Sequence, residues 1–191
     1  MQKQGVLPQH VATRLALAAH HRRWTIRQWS NVIWSDKKCF DVYNKNSRII
    51  CYRRRNERFR QPNIHQYGPK QTTMILAAIS ADEKSNNVRF DGNFTARRYQ
   101  DEALLPRLLP FLNRHNRQVL FMQDNATPKS ARTTRAFRQA SNINVFGPWP
   151  AKSPDMDPIE NLWSQMETAI QRRRPNRPTN RDELWQVVQE E

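Results

Sequence analysis

The stretch VLFMQDNATPKSA, residues 119–131, decides the fold because an apolar run there ends on an acidic residue. The apolar run predicts a strand over residues 118–123, since continuous runs of this length are typical of strands buried on both faces. Asp124 and Asn125 follow at once, and residues 128–141 have a helical pattern that carries basic side chains. The stretch therefore predicts a buried strand that brings Asp124 to the edge of a sheet and then leads into a helix.

Several other segments of the chain show strand patterns. NVIWSD, residues 31–36, predicts a strand that ends on Asp36, and TTMILAAIS, residues 72–80, is an apolar run suited to a central strand. The remaining strand predictions are a hairpin of residues 39–44 and 48–53, a short strand at 86–90 and another at 143–146.

Helical patterns alternate with these strands. The predicted helices are residues 10–22, a short segment opened by Thr25 and Gln28, residues 95–113 with a break or bend at Pro106 and Pro110, residues 158–173, and a last helix capped by Thr179. Strands followed by strand–helix alternation predict an α/β fold in which a mixed sheet carries helices on both faces. Ligands of such sheets usually bind beyond the strand ends.

Charge is the strongest global feature of the composition. The 191 residues carry a formal net charge of +15, and the sequence pI is about 10.8. Much of the excess is arginine, whose planar guanidinium pairs with phosphate, so a nucleic-acid partner is indicated. No apolar run is long enough for a membrane span, and the two cysteines, Cys39 and Cys51, do not make a disulfide framework or a zinc site. We expect a reduced, intracellular protein without a membrane partner.

Three acidic residues are candidates for a metal site. Asp36 and Asp124 each follow an apolar strand, and their carboxylates converge if the two strands are neighbours. Converging carboxylates repel one another unless a cation lies between them, and Mg²⁺ prefers oxygen ligands. Glu160 lies in the first turn of a helix that Asp157 and Pro158 open, beside an apolar stripe that would dock this helix on the sheet.

Each of these acids also has a purely structural interpretation. Asp36 could be a turn residue, and Asp124 with Asn125 could form an Asx turn that starts the next helix. Glu160 is placed to close a capping box with Asp157. On these alternatives the chain would be a basic nucleic-acid-binding module whose carboxylates serve as caps.

Four motifs resemble those of mariner-superfamily DDE transposases. They are WSDKKCF (34–40), YRRRNERF (52–59), VLFMQDNATPKSA (119–131) and PWPAKSPDMDPIENLW (148–163). The resemblance covers roughly residues 10–191 and implies a ribonuclease H-like fold. We expect the DDE catalytic domain at residues 31–174, after an N-terminal helical segment (1–30) and before a linker and a truncated C-terminal helix (175–191).

The resemblance places a catalytic, metal-binding triad on Asp36, Asp124 and Glu160, with two Mg²⁺ or Mn²⁺ ions. It implies cleavage and strand transfer of double-stranded DNA at transposon ends and target, in the nucleus, by a possible homodimer in a synaptic complex. Phosphate contacts are expected from basic side chains of two segments, namely Arg53, Arg54, Arg55, Arg58, Lys129, Arg132 and Arg135.

The sequence departs from the family pattern at points that bear on activity. Lys37 stands where the family usually has an acid, and Lys129 stands where it usually has histidine. The family's N-terminal helix-turn-helix region is absent from these residues, and the C-terminal end is short of the family's usual one. A second hypothesis is therefore a catalytically decayed or repurposed transposase remnant that binds nucleic acid without cutting it.

Overall fold

The computed structural model describes residues 7–42, 54–56, 71–115, 119–173 and 178–191. Within these ranges the strands are β1 (Val32–Asp41), β2 (Thr72–Ile79), β3 (Val88–Phe90) and β4 (Leu120–Gln123). They form one sheet in the order β3-β2-β1-β4, in which β1 is antiparallel to β2 and parallel to β4. The prediction of a mixed sheet is confirmed.

Helices cover both faces of this sheet. They are α1 (Pro8–His21), α2 (Ile26–Ser30), α3 (Ala96–Arg98), α4 (Leu109–Arg114), α5 (Thr127–Ser130), α6 (Arg132–Ala140), α7 (Pro158–Arg172) and α8 (Arg181–Glu190). A π-helix (Tyr99–Leu108) joins α3 to α4. Thr25 and Gln28 form the predicted capping box of α2, and the Asp157 carboxylate accepts a hydrogen bond from the Ile159 amide at the start of α7.

Alternation along the strands sorts the core into layers. Ile33, Leu76 and Phe121 point to the face covered by the π-helix and α4. The opposite face is covered at one end by α7 and α8, whose Trp163 and Leu184 are buried. The remaining buried cluster on that face consists of residues from α1, β1, β4 and the loop before α7, namely Leu17, Val32, Trp34, Met122, Phe146 and Trp149.

The structure corrects two helix predictions. Pro106 does not break the long helix, because the chain widens into π-helical turns in which the Leu109 amide bonds to the carbonyl five residues back, on Leu104. The helix expected at residues 128–141 is divided at Ala131, whose ψ of 148° is extended.

Two further corrections concern local detail. Residues 143–146 contribute one bridge, between Val145 and Phe121, and no strand among the described residues. The cap of α8 is Asn180, whose side chain accepts hydrogen bonds from the Asp182 and Glu183 amides, and not Thr179 as predicted.

The predicted hairpin after Asp36 lies largely outside the described residues. Its first residues, Cys39–Asp41, continue β1, and the segment 48–53 is not described. In the part of the chain that the structure describes, no helix is long and apolar enough to cross a membrane.

Candidate active site

Asp36 lies inside β1 and not at its end, because β1 pairs with β2 as far as Asp41. On the other side of β1, pairing with β4 stops at the pair Ser35 and Gln123. Asp36 is therefore the first residue of β1 that lacks a neighbour on the β4 side. The prediction that the strand ends there is wrong, although the sheet does lose one of its strands at this point.

Asp124 is the residue that follows β4, and the register brings it beside Asp36. Trp34 pairs with Met122 in parallel, so Asp36 and Asp124 are two residues further along neighbouring chains. Because side chains alternate, both acids belong to the sheet face that carries Trp34 and Met122. The prediction that the two strands are neighbours in the sheet is confirmed.

Helix α7 covers this face and brings a second pair of acids. Asp157 caps the helix and Glu160 lies one turn inside it. Trp163, two per cent exposed, packs against Phe40 of β1 and donates its indole N–H to Asp36 Oδ2 at 3.3 Å. Docking of the apolar stripe therefore sets the distance between the acids of α7 and those of the sheet.

Asp157 and Glu160 lie close enough to Asp36 for its charge to shift their pKa values. Burial raises the pKa of Asp157 to about 7, and the charges of Asp36 and Glu160 add to this shift. Burial, followed by the charge of Asp36, also raises the pKa of Glu160, while the Lys38 ammonium opposes the shift. Lys38 Nζ lies 3.9 Å from Glu160 Oε2 and 3.7 Å from Glu167 Oε1. Like charges thus accumulate at one place, where a cation would relieve their repulsion.

Asp124 already has a cation beside it. Lys129 Nζ lies 2.8 Å from Asp124 Oδ1, and the Lys129 side chain is completely buried. The two atoms form an ion pair by distance, but neither has a hydrogen bond of good geometry to any residue that the structure describes. The contact is therefore one of charge against charge.

The acids offer the oxygen donor atoms that a divalent cation prefers, but their side chains are not grouped closely around one point. Carboxylate oxygens suit Mg²⁺ or Mn²⁺, and Asp36, Glu160 and Asp157 supply them within one electrostatic neighbourhood. As the side chains stand, no three acidic, histidine or cysteine side chains in the described ranges are grouped closely enough to hold an ion. The assignment of Asp36, Asp124 and Glu160 as metal ligands stays a prediction.

The structure also bears on the three structural alternatives. Asp36 lies within a strand and not in a turn. The side-chain Nδ2 of Asn125 donates to the Trp149 carbonyl at 2.7 Å and so ties this segment to the loop before α7. Asp157 caps α7 without forming a capping box with Glu160. The Asp157 backbone amide donates to the Pro154 carbonyl, and the Glu160 side chain faces Lys38.

The residues predicted to bind phosphate fall into three groups. Arg54, Arg55, Arg132 and Arg135 are exposed. Arg53 and Arg58 lie outside the described residues. Lys129 differs from the prediction, because its ammonium is buried against Asp124 and does not reach the surface where DNA would lie.

Sequence reasoning missed two contributors to this site. Asp157 was assigned only as a helix cap, yet its carboxylate shares the electrostatic neighbourhood of Asp36 and Glu160. Trp163, a residue of the apolar stripe of α7, is buried in the core and also donates a hydrogen bond to Asp36. The available signal was the spacing of three residues that separates Asp157 from Glu160 and Glu160 from Trp163, because residues three apart share a helix face.

Acids on a sheet and on a helix docked over it, in an α/β domain with helices on both faces, define a ribonuclease H-like domain. The chain belongs to the DDE superfamily endonuclease family, whose model matches residues 31–184. The resemblance to DDE transposases and the predicted fold class are thereby confirmed.

Relatives and solved structures agree with this membership. Tc1 transposase of Caenorhabditis elegans is 25% identical over an alignment of 169 residues, which covers 82% of this chain and 58% of that protein. The Mos1 transposase paired-end complex with left transposon end has a TM-score of 0.68 at 20% identity, covering 98% of this chain and 55% of that one. The Mos1 catalytic domain with raltegravir and Mg has a TM-score of 0.64 at 18% identity, covering 98% and 84%. The chain thus spans little more than half the length of Tc1 transposase.

Proposed function

We propose that this chain is the catalytic domain of a DNA transposase and carries out divalent-metal-dependent DNA strand cleavage and strand transfer. The observation that carries the proposal is the match to the DDE endonuclease family, within which the charge of Asp36 acts on both Glu160 and Asp157. Membership in the family supports the reaction class, and the proximity of Asp36 to the acids of α7 supports the choice of residues.

The proposed cofactor is Mg²⁺ or Mn²⁺, held by Asp36 and Glu160 with Asp124 as the predicted third ligand. The metal would supply activation of the attacking oxygen and stabilisation of the leaving oxygen. The chain itself positions the acids, since Trp163 donates to the ligand Asp36 and Asp157 caps α7, the helix that carries Glu160. The resemblance implies two ions; that number depends on Asp124, whose carboxylate contacts Lys129.

The proposed substrate is double-stranded DNA, both transposon ends and target. A net charge of +15 and the exposed Arg132 and Arg135 on α6, the helix that follows the Asp124 loop, support it. The Mos1 paired-end complex with a transposon end suggests that two copies of the chain pair two DNA ends. We further propose action in the nucleus, as expected of a transposase with a genomic substrate.

Metal-dependent nicking of supercoiled plasmid by the purified chain tests the proposal. We expect nicking with Mg²⁺ or Mn²⁺, none in EDTA, and a loss of roughly 100-fold or more in Asp36→Asn, because Asp36 is the acid whose charge acts on both other members of the acid cluster, Asp157 and Glu160. Glu167→Gln is the matched control, since it removes an acid of α7, the helix of Glu160, that lies outside the predicted triad.

The alternative function predicts a different result from the same assay. DNA that is bound without being cut under every metal condition would contradict the proposed activity and favour the repurposed remnant. Nicking that survives Asp36→Asn would show that another site, or a contaminant, does the cutting.

A further inference from the structure

Lys129 is the least expected side chain of the site, because a lysine ammonium is rarely buried completely. The side chain has no exposed surface, and burying an unpaired ammonium is strongly unfavourable. Asp124 supplies the opposite charge at 2.8 Å, the closest acidic contact the ammonium makes. The fold therefore places Lys129 Nζ directly against the Asp124 carboxylate.

Buried contacts fix the backbone that carries this lysine. The Lys129 amide donates to the Ala126 carbonyl at 2.9 Å, and its carbonyl accepts from Gln123 Nε2 at 3.3 Å. Gln123 Oε1 accepts in turn from the Tyr99 hydroxyl at 2.9 Å. Because Gln123 and Tyr99 are themselves buried, this chain of hydrogen bonds holds α5 against the end of β4.

The ammonium also acts on the rest of the acid cluster. Its charge lowers the pKa of Asp157, against the larger effect of burial, so it lies within electrostatic reach of that carboxylate as well. A divalent ion bound to Asp124 would have to sit within a few ångströms of this charge and would be repelled by it. Among the described residues, Asp36 and Glu160 have no such buried cation beside them, and Lys38 is partly exposed at 3.9 Å from Glu160.

We infer that the Lys129 ammonium is the resident counter-ion of Asp124, so that the site takes one divalent cation, held by Asp36 and Glu160, where the resemblance implies two. This inference rests on the proposed function and specifies its metal content. Lys129 acts as a positioning residue, since it fixes the charge and orientation of Asp124 and touches neither DNA nor the ion.

Counting bound Mn²⁺ in the full chain by electron paramagnetic resonance tests the inference without any assay of cleavage. We expect one ion per chain in the wild type and in Lys129→Arg, and two in Lys129→Met, which keeps the length of the side chain without its charge. Lys37→Met is the matched control: it removes an ammonium next to Asp36 in sequence but on the opposite face of β1, and should leave one ion. Two ions in the wild type, or one ion in a folded Lys129→Met, would overturn the inference.

Asn substitutions of the two aspartates give a second measurement that does not depend on folding of the lysine variants. Asp124→Asn should change Mn²⁺ affinity less than threefold and lower the melting temperature in EDTA, because it leaves the buried ammonium unpaired. A tenfold or greater loss of affinity in Asp124→Asn would make Asp124 a metal ligand and overturn the role of Lys129. Mn²⁺ binding that is unaffected by Asp36→Asn would instead contradict the proposed function.

Discussion

Asp157 shows how one residue can serve both the fold and the site. Its carboxylate caps α7 by accepting the Ile159 amide, which favours the charged form, yet burial and two acidic neighbours favour the neutral form more strongly. The outcome is a pKa raised to about 7 from 3.8. An acid near neutrality beside Asp36 and Glu160 makes the charge of the cluster sensitive to pH in the physiological range.

This shift predicts how stability depends on pH. An acid whose pKa is higher in the folded than in the unfolded chain stabilises the fold at low pH and loses that contribution as pH rises through the folded value. In EDTA, the free energy of unfolding should therefore fall between pH 5 and pH 8. Asp157→Asn, which can still cap the helix, should remove roughly 1–2 kcal/mol of that fall.

Urea denaturation of both proteins at the two pH values measures the difference. Asp155 and Glu102 are paired with arginine and have lowered pKa values. They therefore change the free energy of unfolding below pH 5 and not between pH 5 and pH 8. An equal fall of stability in Asp157→Asn would mean that another group titrates.

At the scale of the element, α7 couples the core to the acid cluster. The same helix buries Ile159 and Trp163, presents Glu160, and is capped by Asp157. Trp163 serves both the core and the acid cluster, because its ring packs in the core and its N–H donates to Asp36. Any shift of this helix therefore moves acids and core together.

The variant Trp163→Phe separates the core packing of this residue from its hydrogen bond to Asp36. Phenylalanine retains most of the apolar contact but cannot donate to Asp36, so Mn²⁺ affinity should fall by about threefold to tenfold, as for the loss of one hydrogen bond of about 1 kcal/mol. Trp149→Phe is the control, because Trp149 is also buried but lies in the cluster with α1. Isothermal titration with Mn²⁺ measures both variants, and equal losses would mean that general loosening of the core, and not the indole donor, affects the site.

At the scale of the molecule, net charge and the exposed arginines are the features that would hold the proposed DNA substrate. Neutralising a phosphate releases bound counter-ions, so affinity falls linearly with salt on logarithmic axes, with a slope of about 0.9 per phosphate contacted. Arg132 and Arg135 are exposed on α6, close in sequence to Asp124. Under the proposed function, these two side chains are expected to contact the DNA backbone.

The double variant Arg132→Ala/Arg135→Ala should weaken binding of a DNA duplex and reduce the salt slope by about 2. Fluorescence anisotropy at several salt concentrations measures the slope. Arg107→Ala/Arg181→Ala removes the same charge from exposed positions on the π-helix and α8 and should change the slope by less. Equal effects of the two pairs would show that DNA responds to total charge alone.

The sequence by itself determined three of the strands, two of the helix starts and the family. Apolar runs located β1, β2 and β4, and Thr25 with Gln28 and Asp157 with Pro158 marked two helix starts, because capping and strand burial depend on neighbours along the chain. The four motifs were sufficient for the family. Local pattern was less reliable where backbone alternatives are close in energy, as at the π-helix and at Ala131.

Only the tertiary structure decided how charges meet. Whether Lys129 faced DNA or Asp124 depended on the packing of α5 against the end of β4, which no local pattern encodes. The neighbourhood of Asp157, Asp36 and Glu160 likewise depended on where α7 docks across the sheet. The physical reason is the range of the forces: propensity and capping act within a few residues, whereas burial and Coulomb interactions join side chains that are distant in sequence.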